Sequence, residues 1–534
     1  MRRGHLLWIA VGIAIGLNAC KTFPPPHLDT AKACADWRWI GISQPEAQCP
    51  EIAGWTVRPL FPQLDPVQQQ CKGCKEKQTP GSGPSREVIQ ELNRFCVYEI
   101  ADPKKKLEKL PFPLAASAKL SRLDQDCAAL TPSAETKLEV KTKNLLSSHF
   151  LSQAGRLRAP IEIDSQPTVR LAFLDTQPTG EGVPRRSGKS RHGYTLAHMA
   201  RHLVCTLEPN AHCAAWIATR LALPFREFDA KSQADNKADT KLGGALGMYS
   251  DLAEAIRNEV DTWRRAGSQK HLVLNLSLGW DGELFGGLDE KQIADMRAGT
   301  QAVYRALQYA AGFDVLVLAA AGNQKRDPCA NIGPLLPAAW EKEALRDESC
   351  KTPEAPLIYA VGGLKSDGRP LEITRPGGMP RRAAYAENAM VPTPDPDEPA
   401  AILTGSSVAT AVASSIAAVV WDSFPGLNSH QVMNILDGSG EELGFEADFW
   451  FREGTPIFLA HPKVHRLSLC TALHKARCRD LPSPCPIKLD CEPLPGPLDP
   501  SLPASAKGSC QPWLYPQPED PPFPNCPTCP PRVH

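Results

Sequence analysis

The chain has no excess of charge of either sign. Its 534 residues carry 59 Lys plus Arg against 59 Asp plus Glu. That excludes the one-sided basic footprint by which proteins hold a nucleic-acid backbone. Beyond Cys20 it also has no apolar run long enough to cross a bilayer. What it has in quantity is proline, 52 residues crowded toward the two ends, and cysteine, 18 residues. A hydrophobic content of 42% fits a globular protein, and the length leaves room for roughly two to four domains around a large buried core.

The first residues, MRRGHLLWIAVGIAIGLNACKTF, put Arg2 and Arg3 ahead of an apolar run from Leu6 to Ala19. The run is short for a membrane span but right for the core of a signal peptide. Its end, Leu17-Asn18-Ala19-Cys20, resembles the lipobox of bacterial lipoproteins. The resemblance implies removal of residues 1–19 and lipid attachment at Cys20. The mature protein would then be a membrane-anchored lipoprotein of the bacterial cell envelope, periplasmic or outer-membrane associated; a secreted protein or an uncleaved anchor is the alternative. Each reading takes it out of the cytoplasm, into a compartment where so many cysteines are expected to pair. Close candidates are Cys205 with Cys213, Cys329 with Cys350, and Cys470 with Cys478. Cys71-Lys-Gly-Cys74 and Cys526-Pro-Thr-Cys529 have zinc-like spacing. They lie far apart in an exported chain, so disulfides are the preferred reading and no metal site is assigned.

Three zones follow the signal. Residues 21–165 are mixed, with proline-rich stretches, six cysteines and one helix expected over Ser85 to Ile100; they form an accessory or propeptide-like region. Residues 463–534 read as a tail rich in proline and cysteine, extended or tied by disulfides. Between them, 166–462 alternates strand-like runs (Val169 to Leu174, His271 to Leu278, Asp314 to Ala320, Leu357 to Val361) with helix-like ones (Gly193 to Val204, Asp251 to Arg265, Gln292 to Ala311). This alternation predicts an α/β fold: a mainly parallel sheet with helices on both faces. Such sheets put their sites beyond the carboxyl ends of the strands.

At those strand ends sit four reactive side chains. Asp175 closes VRLAFLD, Asn323 closes DVLVLAAAGN, and His192 opens the helical RHGYTLAHMA. Ser407 opens TGSSVATAVASSIAAVVW, a stretch that begins at Thr404. Each has an ordinary reading as a turn or surface residue, and the serines read equally well as a helix N-cap. Together they supply the parts that acyl transfer to water requires: a hydroxyl nucleophile, an imidazole base, a carboxylate to orient it and an amide donor for the oxyanion.

The motifs resemble those of the subtilisin-like serine proteases, the subtilases, from about 166 to 440. Ala172 to Thr176 (AFLDT) resembles the family's aspartate segment, and His192 to Ala197 (HGYTLA) its histidine motif. Leu274 to Gly279 (LNLSLG) is similar to the strand walling the substrate cleft, and Leu318 to Asn323 (LAAAGN) to the oxyanion segment. Further likenesses are Leu336 to Trp340, Ile358 to Leu364, Gly405 to Ala411 (GSSVATA, the serine motif) and Phe424 to Leu436. The order Asp, His, Ser is also the family's. The resemblance implies Asp175, His192 and Ser407 as the triad and Asn323, with the Ser407 N–H, as the oxyanion hole. It also implies Ser277, Leu278, Gly279, Ala320, Ala321 and Gly322 as backbone that binds an extended peptide as an added strand. The implied activity is that of an exported serine endopeptidase acting on peptide or protein substrates.

Departures from the family pattern are few. The interval from Asp175 to His192 is short, which removes the usual place for calcium ligands; no cofactor is required, and calcium is possible with no site identified. Gln177, Thr195, Ser406 and Ala411 replace the commoner glycine, histidine, threonine and proline. Trp280 stands where a small residue is common, so its indole either caps a subsite or packs against the loop Asp281 to Leu288. The alternative function is that of a surface lipoprotein using a catalytically inactive subtilase fold as a binding or scaffold protein.

Overall fold

The computed structural model describes residues 34–45, 48–52, 54–61, 83–100, 119–130, 134–135, 143–157, 159, 166–175, 192–206, 212–222, 246–282, 287, 293–323, 333–342, 356–375, 377–391, 402–446, 463–481, 485–487 and 491. The features expected at residues 1–19, Cys20, Cys71 with Cys74, Cys329 with Cys350, and Cys526 with Cys529 lie outside them.

In the N-terminal part the elements are β1 (Cys34–Ser43), β2 (Trp55–Pro59), α1 (Arg86–Leu92), β3 (Phe95–Ile100), β4 (Leu120–Leu130), β5 (Ala134–Glu135) and α2 (Lys143–Gln153). There follow β6 (Val169–Asp175), α3 (His192–Val204), β7 (Ala215–Leu221), β8 (Leu246–Met248), α4 (Tyr249–Ala266), β9 (His271–Leu276), α5 (Ala298–Gly312), β10 (Leu316–Ala320) and β11 (Tyr359–Leu364). The remainder is β12 (Arg382–Tyr385), β13 (Leu403–Thr404), α6 (Ser406–Ser423), α7 (Ser429–Ser439), β14 (Glu441–Glu446), β15 (Lys463–Arg466) and α8 (Leu469–Cys478).

The main sheet runs β14-β15-β12-β11-β10-β9-β6-β7. Every pairing in it is parallel except β14 with β15 at one edge. The expected α/β architecture is therefore present. β9, β10 and β11 are buried along their whole length, as parallel strands covered on both faces must be. Their side chains alternate between two cores with the period of a strand. Leu171, Phe173, Val273, Leu316 and Leu318 face one core with α2, α3, α6, α7 and α8. Ala172, Leu174, Leu272, Leu274, Val317 and Ala319 face the other, with α1, α4 and α5. Helix α6 is buried from Ser406 to Trp421. Its alanines and serines leave room for the sheet and the neighbouring helices to close in, which suits a helix apolar on every side.

A second sheet, β2-β3-β1-β4-β8, is antiparallel throughout. Ile40, Ile42, Leu60, Phe61, Phe95 and Val97 from this sheet and its flanks share one core with α4 and α5. Buried polar bonds reinforce the seam. Arg38 reaches Ser250 at 3.2 Å and Asp251 at 2.7 Å, Asp124 accepts from the backbone N–H of Ala298 at 2.7 Å, and Asp126 accepts from that of Ser250 at 3.3 Å.

Three expectations need correction. The helix at Ser85 stops early: Ser85 caps Arg86–Leu92 by accepting from the Val88 N–H, and the chain turns at Asn93. FCVYEI then becomes β3, because its β-branched and aromatic residues fit a pleated surface between β1 and β2. Cys470 does not pair with Cys478. Both lie on α8, about 12 Å apart along its axis, too far for a disulfide; instead Cys470 bonds Cys491 and Cys478 bonds Cys485. The Cys205–Cys213 pair forms as expected, and Cys49–Cys96 joins it. β15 lengthens the main sheet past 462, and α8 and α2 bury Leu469, Leu473, Phe150 and Leu151 in the first core. Finally, the Trp280 indole is fully buried between Tyr249 and Trp340, with ring centroids at 5.0 and 5.5 Å. It is a core residue and caps no subsite.

Candidate functional site

Asp175 is the last residue of β6 and His192 the first of α3. Parallel strands bring the carboxyl end of β6 beneath the start of that helix. Both carboxylate oxygens of Asp175 lie 3.0 Å from His192 Nδ1, and both residues are buried. This geometry fixes one tautomer, with the proton on Nδ1 toward the carboxylate and Nε2 left as the basic nitrogen. The approach depends on Gly193. A Cβ there would sit 2.5 Å from Asp175 Cβ and 3.0 Å from Cγ. Sequence reasoning passed over this residue. A glycine in the first turn of a helix is a signal in itself, since it weakens the helix unless packing requires it.

The two serines are not caps. Gly405 holds the N-cap position of α6 without a side-chain bond, and Ser406 and Ser407 are its first two helical residues. Ser406 Oγ accepts from the Gly322 N–H at 3.1 Å, and the Ser406 N–H donates to Asn323 Oδ1 at 2.9 Å. Asn323 is thereby held against the helix start with its amide nitrogen beside Gly405, where a Cβ would come within 2.6 Å of Nδ2. Ser407 Oγ donates to the Ser277 carbonyl at 3.2 Å, and Ser277 Oγ lies 3.0 Å from the Ser407 carbonyl. Ser277 Oγ is also 2.8 Å from Asn275 Oδ1, and Asn275 donates to Ser414 at 3.1 Å. This buried polar chain locks the end of β9 onto α6. Helix α6 in turn packs on α3, which bears His192. Thus Ser407, Ser277, Gly322 and Asn323 meet at the start of α6, and Asp175 with His192 at the start of the adjacent helix.

The six expected cleft residues line the ends of β9 and β10. Ser277 and Gly322 touch the serine pair directly. Ala321 has both backbone groups engaged, its N–H by the Val361 carbonyl and its own carbonyl by the Leu335 N–H. Strand addition at that residue is therefore closed. Two other edges are occupied by the chain itself. β8 takes Ala128 to Leu130 of β4 as an antiparallel neighbour, and β13, which leads into Gly405 and Ser406, takes Ala134 and Glu135 of β5.

Among the described residues, one group of three could hold a metal: His474, Cys478 and Cys485. The two cysteines are bonded to each other, so neither is the thiolate a metal needs. No helix among the described residues is long and apolar enough to cross a membrane.

The fold and this helix-start arrangement define a subtilisin-like α/β architecture. The model of the subtilase family, peptidase family S8, matches residues 238–439, and this stretch carries a subtilase-family domain. The match takes in Asn323 and Ser407 and begins after Asp175 and His192. No curated protein matches the chain significantly. Among solved structures, the prenylagaramide maturation protease PagA is 17% identical with a TM-score of 0.35, covering 58% of this chain and 95% of its own. The serine protease MycP1, an essential component of the type VII (ESX-1) secretion system, is 19% identical with a TM-score of 0.37, covering 65% and 92%. The MycP3 protease from the type VII (ESX-3) system is 18% identical with a TM-score of 0.36 over the same shares.

Proposed function

We propose that the chain is an exported serine endopeptidase that cuts peptide bonds through Asp175, His192 and Ser407. The observation that carries this reading is the buried Asp175–His192 pair, joined to a helix start that presents two serines and an asparagine amide. In the reaction, Ser407 Oγ attacks the scissile carbonyl carbon while His192 Nε2 takes the hydroxyl proton. Asp175 orients the ring and stabilises the imidazolium. The Ser407 N–H and Asn323 Nδ2 donate to the oxyanion. His192 then protonates the leaving amine, and water hydrolyses the acyl-enzyme by the same route. The reaction needs no metal or cofactor.

The N-terminal unit acts as a self-occupant of the cleft in the full-length chain. Support comes from the β4–β8 and β5–β13 pairings, in which residues 128–130 and 134–135 take edges an extended substrate would use. Export and lipid anchorage at Cys20 belong to the same proposal, and the disulfides among the described residues agree with an oxidising compartment. A fluorophosphonate probe with intact-mass readout tests the enzyme. Labelling should vanish in Ser407→Ala and persist in Ser406→Ala. Folded wild type that takes no label even after limited proteolysis has removed the N-terminal unit refutes the proposal and favours a binding role. Label on the undivided chain would refute stable self-occupancy.

A further inference from the structure

Helix α3 turns one side to the interior and keeps a narrow outer face. Leu196, Met199, Ala200 and Leu203 pack into the first core. Tyr194, His198 and His202 follow one another on the outer side, each four residues after the last, and none of them is fully buried. Residues four apart on a helix stand one above the other, so the three rings are neighbours. Tyr194 lies parallel to His198, with ring centroids at 6.3 Å. His198 meets His202 edge to face, with centroids at 5.0 Å and an interplanar angle of 81°. Both imidazoles are half-buried, and the Tyr194 ring stands on the N-terminal side of the pair. This partial enclosure restricts the rotamers open to either ring.

The spacing is that of a chelate. Two imidazoles four residues apart on one helix face are a recurrent way of holding zinc. A zinc ion about 2.1 Å from one nitrogen of each ring stands about 3.2 Å from each ring centre, and a tetrahedral angle then puts the two centres about 5.2 Å apart. The observed 5.0 Å meets that requirement with the helix as it stands. The cysteine that follows the helix, Cys205, is bonded to Cys213 and offers no competing thiolate. Two imidazoles are fewer donors than the three residues at α8, but the cysteines there are bonded to each other.

We infer that His198 and His202 form a binding site for a divalent transition metal, zinc, copper or nickel, with water completing the coordination. Imidazole nitrogen suits these ions, whereas magnesium and calcium take oxygen ligands. Copper should bind more tightly than nickel or zinc. His198 and His202 lie about 9 and 15 Å along the helix axis from His192. The ion therefore takes no part in hydrolysis, and the inference does not depend on the protease reading. Its effect falls on the helix: one ion joined to two successive turns opposes the unfolding of α3.

The test is isothermal titration calorimetry of the full-length protein with zinc chloride, with magnesium chloride as the contrast. Wild type should show a zinc site that magnesium does not fill. His198→Ala and His202→Ala should each weaken that site at least about tenfold, since loss of even an outer partner of a metal ligand costs that much. His212→Ala, which removes an exposed histidine beyond the helix, should leave it unchanged. Circular dichroism establishes that each variant is folded. A second readout distinguishes a chelate from scattered histidine binding: saturating zinc should raise the Tm of wild type and of His212→Ala, but not that of His198→Ala or His202→Ala. Wild type with no zinc binding tighter than about 1 mM overturns the inference. Zinc binding retained in both folded α3 variants overturns it too, since it marks an adventitious ion only. So does a loss in one of the two variants without the other, which is the behaviour of a single histidine.

Discussion

Replacing Asp126 by asparagine should change how stability depends on pH, in a direction the structure fixes. Asp126 lies on β4 with no exposed surface, against the start of α4. It contacts the Ser250 hydroxyl and accepts from the Ser250 N–H. Burial pushes its pKa from 3.8 up to about 7, with Asp251 adding to the rise and Arg38 and the Ser250 hydrogen bonds opposing it. The folded state thus binds one proton more than the unfolded state across that window. Stability from this group is complete below about pH 4, falls as pH rises through about 7, and is then level. The slope is about 1.4 kcal/mol per pH unit and the whole change about 4 kcal/mol. His149 and His271 act oppositely, since burial lowers each to about 4; they favour the fold above their unfolded range near 6.5 and cost stability as pH drops toward 4. The wild-type profile mixes these trends, so the quantity to measure is the difference between wild type and Asp126→Asn. Asparagine keeps an acceptor for the Ser250 N–H and a donor for its hydroxyl. Urea unfolding followed by tryptophan fluorescence between pH 4 and pH 8 should find the variant gaining on wild type by about 4 kcal/mol over the range. A difference that stays constant within about 1 kcal/mol would refute the reasoning.

Asn323→Ala should lower kcat by about 10²–10³ with little change in KM, because in the proposed mechanism its Nδ2 meets the oxyanion only in the transition state; steady-state kinetics on a cleaved peptide checks this, and a loss confined to KM would contradict it. Gly193→Ala should lower kcat by about 10² or more, since its methyl group cannot share space with Asp175 and a displacement near 1 Å carries that cost. Arg382→Met should destabilise the fold by about 3–5 kcal/mol. It removes the guanidinium that holds Asp437 at 2.8 and 2.7 Å and also pairs with Glu341, and chemical denaturation would detect the loss.

Much of this was legible before any coordinates. The apolar runs of β6, β9 and β10 pointed to the sheet, and the reactive residues at their ends to both halves of the candidate site. Local signals failed where long-range packing decided the outcome. FCVYEI continued a plausible helix on paper and became a strand because β1 and β2 were there to receive it. Ser406 and Ser407 read as caps, yet their hydroxyls bond to the ends of β10 and β9, more than eighty positions away in sequence. Trp280 beside a cleft strand suggested a subsite, but strand alternation turned it into the second core.

The join between the N-terminal sheet and the rest of the molecule has its own consequence. Ile40, Ile42, Phe95 and Val97 are seated in the same dry interior as α4 and α5, so this piece is mortared in rather than hinged. Cutting the backbone near the cleft would leave two fragments still gripping one another, and their parting would bare a greasy plateau to water. Under the self-occupancy proposed above, activation would therefore require disposal of the severed piece as well as an incision.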